Sequence, residues 1–423
     1  MERAAAIATG LLFSSLAVLV AMTVPAHAET RPTAADVTPK SPAPARLLRS
    51  LARDPSAYDP KKAGVATDLL LGDLVYHSPL ALGAKARELG LSCNGCHPNG
   101  AAHTTLTLGD LSNRPGNVDL TTAFFRAGAS NRAPDFLSIP SLRGVRYTAP
   151  YGYGAESASL GDAVDHHAVA SFGAAPLARA QLTALVRFVQ DLDFLPNANL
   201  DAHGRITARA GESARRGETY FDRPRAQLGG MSCASCHPAS SMFTDGRTHR
   251  VGSGPSAQAG AMDDAFDTPT LLGTAETAPY FHDGRFTTLT DVVTFFDQGY
   301  GLGLPADEKR DLVAYVEAVG AVDQKTDARS TPQKMQDTFI YLELLLAGDA
   351  MDDRSVWSMA LDACITELAR RERPARVADR AIVDEAQLKS LTQRVRSGAT
   401  LAGMRPEVLD LSKDLYRLAA DWN

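Results

Sequence analysis

The chain has 423 residues, of which 44% are hydrophobic and 22% charged, and a formal net charge of −6. That length exceeds a single typical core and predicts two or three domains, while the composition excludes disorder and collagen-like repeats. The acidic balance gives no footprint for nucleic acid and is compatible with a basic protein partner.

In chain order, Arg3 is followed by an apolar stretch from Ala4 to Val24 and then by Ala26-His27-Ala28, a small-x-small cleavage site. This pattern predicts a signal peptide over 1–28, cut after Ala28, and therefore export to the periplasm with no stable membrane insertion after cleavage. The stretch is longer than most signal cores, so an uncleaved anchor is the competing reading, although Gly10, Ser14 and Ser15 dilute it. Residues 29–45, rich in Ala, Pro and Thr, read as a flexible mature N-terminus.

Two five-residue motifs carry the chemistry: Cys93-Asn94-Gly95-Cys96-His97 and Cys233-Ala234-Ser235-Cys236-His237. Covalent haem attachment needs two thiols that reach both vinyl groups of one porphyrin and an imidazole beside the second thiol to bind the iron. One helical turn of Cys-x-x-Cys-His supplies all three. Cys93, Cys96, Cys233 and Cys236 are thus read as thioethers, His97 and His237 as proximal ligands, and two haem c groups as the cofactors. A zinc site would leave both histidines without a reason for their fixed position, and a thioredoxin-like pair needs a βαβ context that is absent. Four of the five cysteines are used in this way, so no pair is left for a disulfide. Cys364 shares an apolar helical stripe with Val356, Ala360 and Leu368 and reads as a small core residue.

The chain also repeats itself. Ile139-Pro140-Ser141-Leu142-Arg143-Gly144, Thr148-Ala149-Pro150-Tyr151 and Leu160-Gly161-Asp162-Ala163-Val164 recur as Thr268–Gly273, Thr277–Tyr280 and Leu289–Val293, all at an offset of 129, whereas the cysteines are offset by 140. Two homologous domains follow, over 46–196 and 197–323, with a linker starting at Leu195-Pro196-Asn197-Ala198-Asn199. The second opens near Arg209 with a helical pattern reaching Tyr220 and Phe221, and closes after a helix over Asp307–Val319. Residues 324–423 form a helical extension packed on the haem domains. Its first helix is capped by Thr331 with Pro332 at the first helical position, followed by Met335, Phe339, Leu342 and Leu346 at helical spacing. Val408, Leu411, Leu415, Leu418 and Trp422 repeat that spacing at the end.

The run Thr277-Ala278-Pro279-Tyr280-Phe281-His282-Asp283-Gly284, with the two motifs and the repeat in order, resembles the bacterial di-haem cytochrome c peroxidase and MauG family over roughly residues 60–320. The resemblance implies a mainly α fold of two tandem class I cytochrome c-like haem domains, here with the C-terminal α-helical extension, and a calcium ion between them. It also implies a peroxide-linked oxidoreductase, in which one haem meets hydrogen peroxide and the other relays electrons from a small periplasmic donor protein or a protein substrate. A pure electron carrier is the alternative, and a regulatory subunit presenting the C-terminal block a third.

Several family residues are missing. The distal glutamate that follows the leucine matching Leu160 is Gly161 here, and the distal glutamine falls on Tyr151; Glu156, His103, His166 and His167 are the nearby substitutes. Moving a proton between two oxygens needs an acid–base group that glycine lacks. The methionine or tyrosine that fills the relay haem's sixth position is Phe296, and the 129 offset places His167 at the matching point of the first domain. That pattern predicts a six-coordinate first haem and an open second one, with His249, Met262 and Met242 as candidate ligands for the latter. His282 shapes the pocket and, with Glu156, is a candidate catalytic group. The family's inter-haem tryptophan cannot be carried over, because the chain's two tryptophans, Trp357 and Trp422, lie in the extension.

Overall fold

A computed structural model describes residues 67–125, 135–254, 265–323, 330–347, 351 and 353–422, and it is mainly helical. The expected signal peptide and N-terminal segment, and Met262, lie outside the described residues. No helix among the described residues is long and apolar enough to cross a membrane.

The first repeat runs α1 (Thr67–His77), α2 (Gly83–Glu88), the one-turn α3 (Cys93–Cys96), β1 (Asn117–Asp119), β2 (Phe136–Ser138), α4 (Leu160–His166) and α5 (Arg179–Gln190). The second runs α6 (Gly211–Phe221), the one-turn α7 (Cys233–Cys236), β3 (Thr248–His249), β4 (Phe266–Asp267), α8 (Leu289–Tyr300) and α9 (Ala306–Gly320). Both strand pairs are antiparallel, with Asn117 opposite Ser138 and Thr248 opposite Asp267.

The 129-residue register holds at the level of single backbone features. Ser159 Oγ caps α4 by accepting from Asp162 N, and Thr288 caps α8 by accepting from Asp291 N. Gly144 and Gly273 both adopt the left-handed conformation that a residue with a Cβ disfavours. Tyr151 bridges to Ser157, and Tyr280 to Phe286. The peptide bonds Ala149–Pro150 and Ala278–Pro279 are both cis.

Each repeat closes by crossing its first helix over its last at a glycine. A Cβ on Gly72 would fall 2.1 Å from the Ala184 carbonyl oxygen, and one on Gly217 would fall 1.9 Å from that of Asp311. One turn further along, Tyr76 meets Phe188 with ring centroids 5.1 Å apart, and Phe221 meets Tyr315 at 4.8 Å. The two crossings use the same parts with tyrosine and phenylalanine exchanged. Close backbone approach and a buried aromatic pair fix the helix angle, and with it the distance across which the motif turn is held.

The extension comprises α10 (Thr331–Phe339), α11 (Tyr341–Leu346), α12 (Arg354–Ala369), α13 (Ala378–Arg396) and α14 (Leu401–Ala420). Its first cap is Ser330, not Thr331: Ser330 Oγ accepts from Gln333 N at 3.4 Å while Gln333 Oε1 accepts from Ser330 N at 2.7 Å, a reciprocal pair that places Thr331 inside the helix. Met335, Phe339 and Leu342 are fully buried, as are Cys364 and Trp357. The extension packs on the first repeat, sharing one hydrophobic core with Leu70, Leu74, Leu185 and Val189, whereas Phe221, Phe243, Leu312 and Tyr315 form a separate core in the second repeat. Tyr341 donates to Asp73 Oδ2 at 3.0 Å and Gln181 Nε2 donates to Asp353 Oδ2 at 3.2 Å across this contact.

The repeats join through a reciprocal pair of backbone hydrogen bonds. Ser138 N donates to the His282 carbonyl at 2.8 Å, and Asp267 N donates to the Tyr153 carbonyl at 2.7 Å. Ser138 and Asp267 are equivalent in the 129 register, and so are Tyr153 and His282. The join therefore has local two-fold pseudosymmetry. It is tightened where Arg114 Nη1 donates to the Gly284 carbonyl at 2.6 Å, and where a Cβ on Gly116 would meet Pro279 Cδ at 2.6 Å.

Two outcomes follow. Gly217→Ala should destabilise the second repeat by about 3 kcal/mol or more, because the added methyl meets backbone and not a movable side chain; a thermal melt with parental stability would refute the crossing. Asp384 in α13 is buried, and burial, reinforced by Asp414, pushes its carboxyl up to about 6. A raised folded pKa means that stability present below the unfolded carboxylate value is lost as pH rises through about 6. Asp384→Asn should accordingly raise the melting temperature near pH 7 and leave it unchanged below about pH 3.

Candidate functional site

Each motif is a single helical turn followed by its histidine. In the first, Ser92 Oγ caps the turn by accepting from Gly95 N at 3.2 Å, and Cys93 and Cys96 present half-buried sulfurs. His97 Nδ1 donates to the Pro140 carbonyl at 2.9 Å, and the Tyr76 hydroxyl donates to the His97 carbonyl. A carbonyl can only accept, so the contact places the imidazole proton on Nδ1 and leaves the Nε2 lone pair for a metal. Burial, with repulsion from His167 added, drives the His97 pKa down to about 4, so the ring is neutral.

The same geometry recurs in the second motif. His237 Nδ1 donates to the Phe243 carbonyl at 2.9 Å, and the Pro269 carbonyl, the equivalent of Pro140, also acts on this ring. Met242 and Phe243 hold left-handed φ values of 60° and 57°, conformations costly for non-glycine residues, and they aim that carbonyl at the histidine. Burial pushes the Cys93 thiol up to about 12, and the Cys96 and Cys233 thiols to about 11. A dithiol built for exchange has the opposite shift. Among the described residues, Cys236, Asp245 and His249 bring ligand atoms within 4.8 Å of one another, whereas no such group of three includes Cys93, Cys96 or Cys233. Two sulfurs on one turn and one free imidazole lone pair fit covalently bound haem.

The two motifs differ on the facing side. After α4 the chain widens into a π-helical turn, His167–Ser171, a local irregularity often found at functional sites. His167 lies edge-on to Phe172 at 5.3 Å, and Phe172 belongs to the apolar cluster that packs on Cys93 and Cys96. His167 is exposed on this turn, and the protein packed around its ring, with His166 beside it, drives its pKa down to about 4. His97 and His167 are thus brought to one space. In the second repeat α8 continues unbroken past the equivalent point, where Phe296 sits one turn from Val293, a residue packed on the same core as Cys233. Phe281, Phe286, Phe295 and Phe296 form a continuous aromatic cluster, with centroid separations of 5.0 Å between Phe281 and both Phe286 and Phe295, and Tyr300 stacks on Phe296 at 6.3 Å. Phe281 holds φ 69° where the first repeat has Gly152.

The other candidates are placed as follows. His249 Nε2 is engaged by Asp245 Oδ2 at 2.7 Å beside Cys236; although burial opposes its charge, that carboxylate and Cys236 push its pKa up to about 10. Met242 is buried against Phe194. His103 Nδ1 donates to the Gly95 carbonyl at 2.8 Å and ties its loop to the first motif. His166 is exposed. Glu156 is exposed too, and its Oε1 accepts from Gly154 N at 3.0 Å within its own loop. A Cβ on Gly161 would meet nothing closer than 3.9 Å. His282 is buried and stacks on Phe266 at 4.1 Å, with Tyr153 edge-on at 6.3 Å. Tyr151 is half-buried and packs beside the first core.

Residues 217–328 match the family model of di-haem cytochrome c peroxidase. Over those residues the chain is similar to the di-haem cytochrome c peroxidase and MauG family. That similarity spans the second motif and implies c-type haem there, which the motif geometry fits. The hydrazine synthase gamma subunit of Kuenenia stuttgartiensis is 26% identical over 271 residues, covering 54% of this chain and 72% of the relative. The methylamine utilization protein MauG of Methylophilus methylotrophus is 38% identical over 81 residues, 19% of this chain and 22% of that protein. The cytochrome-c peroxidase IdrP1 of Pseudomonas sp. (strain SCT) is 45% identical over 65 residues, 13% of this chain and 17% of that one. The matches to these two peroxidase-family proteins thus span about a fifth of their lengths.

The helix-crossing glycines, Tyr153 and the Asp245–His249 pair were not singled out from the sequence. Aligning Gly72-x-x-x-Tyr76 with Gly217-x-x-x-Phe221 ahead of the motifs would have found the first, while the other two depend on long-range packing. His97→Ala or His237→Ala in the full-length holoprotein should each lower the melting temperature sharply, whereas His103→Ala, which forfeits one hydrogen bond, should cost only about 1 kcal/mol. Equal losses in the two classes would contradict the assignment of His97 and His237 as metal ligands.

Proposed function

We propose that this chain is an exported, periplasmic di-haem c-type cytochrome that couples hydrogen peroxide reduction to electron transfer between unlike haem sites. In this reading Cys93, Cys96 and His97 hold one haem in a domain over 46–196, and Cys233, Cys236 and His237 hold the other in a domain over 197–323. Both domains are cytochrome c-like. The observation that carries it is the pairing of His167, which contacts the Phe172 cluster beside the first motif, with Phe296, aromatic and unable to ligate, at the equivalent point of the second. Haem held by these residues would supply a redox-active iron able to react with peroxide.

The chain's own residues do the rest. The Pro140 and Phe243 carbonyls orient the two proximal imidazoles, and His167 offers its Nε2 to the first site while Nδ1 lies 3.5 Å from Ser171 Oγ. Phe281, Phe286, Phe295 and Phe296 make the corresponding side of the second repeat aromatic, with no side chain that could bind iron. His249 would have to leave Asp245 to serve as a ligand there, and Met262 stays a candidate. Glu156 and His282 remain the candidate proton carriers, with Glu156 first having to release the Gly154 amide. A basic electron-donor protein or a protein substrate is the partner that the acidic chain suits, and calcium between the domains belongs to the same proposal. The second reading, an electron carrier, is favoured by the open space at Gly161, where no side chain can move a proton.

The test is the oxidised electron paramagnetic resonance spectrum of the holoprotein. One low-spin and one high-spin signal are expected, and His167→Gly should convert the low-spin signal to high spin. Two low-spin signals that His167→Gly leaves unchanged would overturn the assignment, and two low-spin signals with no response to peroxide would favour the carrier.

A further inference from the structure

The reciprocal join between the repeats lies on a bonded route between the two motif histidines. From His97 Nδ1 the route enters the Pro140 carbonyl and runs back along two residues to Ser138 at the end of β2. The Tyr153 hydroxyl donates to the Ser138 carbonyl at 2.7 Å, and Ser138 Oγ donates to the Phe281 carbonyl at 2.7 Å. On the other side the Tyr153 carbonyl accepts from Asp267 N at 2.7 Å, two residues before Pro269, whose carbonyl acts on His237. The rings of Tyr153 and His282 meet edge to face at 6.3 Å on the pseudo-two-fold axis, and Phe266 stacks on His282 from the second repeat. Tyr153 is the residue that touches both strand ends, through its hydroxyl on one side and its carbonyl on the other.

We propose that Tyr153, with its equivalent His282, is the positioning residue that sets the electronic coupling between the two motif sites. The proposal rests on the two-haem reading above. A hydrogen-bonded and ring-contacting route couples two redox centres better than an open gap, and no tryptophan lies among residues 67–323 to offer another aromatic bridge. The transfer moves one electron from a reduced c-haem site to an oxidised one, with no bond made or broken and with the Tyr153 proton retained on its oxygen.

The experiment uses the full-length holoprotein, first shown by mass spectrometry to retain two haems; a single retained haem would sink the two-haem reading and not the bridge. One site is then reduced by a laser-excited ruthenium photosensitiser, and rapid freeze-quench paramagnetic resonance follows the electron as it redistributes between the two ferric signals. Tyr153→Leu and His282→Leu should each slow redistribution by about tenfold, and the double variant should slow it little further because both remove one contact. Tyr153→Phe, which keeps the ring but loses the Ser138 bond, should fall between. Both ferric signals and both midpoint potentials should match the parent, which a merely structural role would not ensure. Parental rates in either leucine variant, or slowing that tracks shifted potentials, would overturn the proposal. Should Tyr153→Leu fail to load both haems, His282→Leu decides alone.

Discussion

An imidazole offers a metal one nitrogen lone pair, and the other nitrogen must then carry a proton that needs an acceptor. In both motifs that acceptor is a backbone carbonyl, from Pro140 for His97 and from Phe243 for His237. Much of the surrounding architecture serves to hold those carbonyls still. Gly72 and Gly217 let the first and last helices of each repeat meet at backbone distance, and the aromatic pairs beyond them set the height of the motif turn. In the first repeat Tyr76 does both jobs, packing on Phe188 and donating to the carbonyl of His97 itself. Fixing those carbonyls in this way orients the ring and raises its basicity as a ligand.

Because the scaffold is duplicated, differences between the copies stand out as the places where function diverges. The caps, left-handed glycines and cis prolines match position for position, whereas the facing helix does not. In the first copy it relaxes into a π-helical turn at His167, and in the second it continues regularly through Phe295 and Phe296. A wider turn rotates the side chains that follow it, so an imidazole beside the motif cluster and an aromatic wall are alternative outcomes of one helix. The cost of holding Phe281 at a positive φ falls on the same side of the second copy, where its ring joins that wall.

Much of this was legible in the sequence because it is local or periodic. The two Cys-x-x-Cys-His turns, the 129 register and the apolar spacing of Met335, Phe339 and Leu342 each reside in short windows, and the structure places helices and buried side chains there. The cap at Ser330 was misplaced by one residue because Ser330 and Thr331 are chemically alike, and only the Gln333 side chain distinguishes them. His249 and Met242 were reasonable as ligands by residue type alone. Asp245, four residues before His249, and the Phe194 ring, far away in the chain, are what engage them. The extension's choice of the first repeat was likewise out of reach, since it depends on Asp73 and Gln181 meeting Tyr341 and Asp353 across long separations.

The join between the repeats shows how a symmetric backbone can carry an asymmetric task. The two hydrogen bonds that cross it are equivalent and differ by 0.1 Å, so the main chain alone distinguishes no direction. The side chains at the equivalent points do. Tyr153 turns its hydroxyl back to the first repeat, while His282 is buried flat against Phe266 in the second. One repeat therefore contributes a hydrogen-bonded phenol to the axis and the other a stacked imidazole, with Gly116 and Pro279 packed closely enough to leave the join little freedom to slide. A duplicated fold needs only such substitutions at its axis, and at one turn of the facing helix, to make two copies of one binding unit chemically unlike while keeping the geometry that relates them.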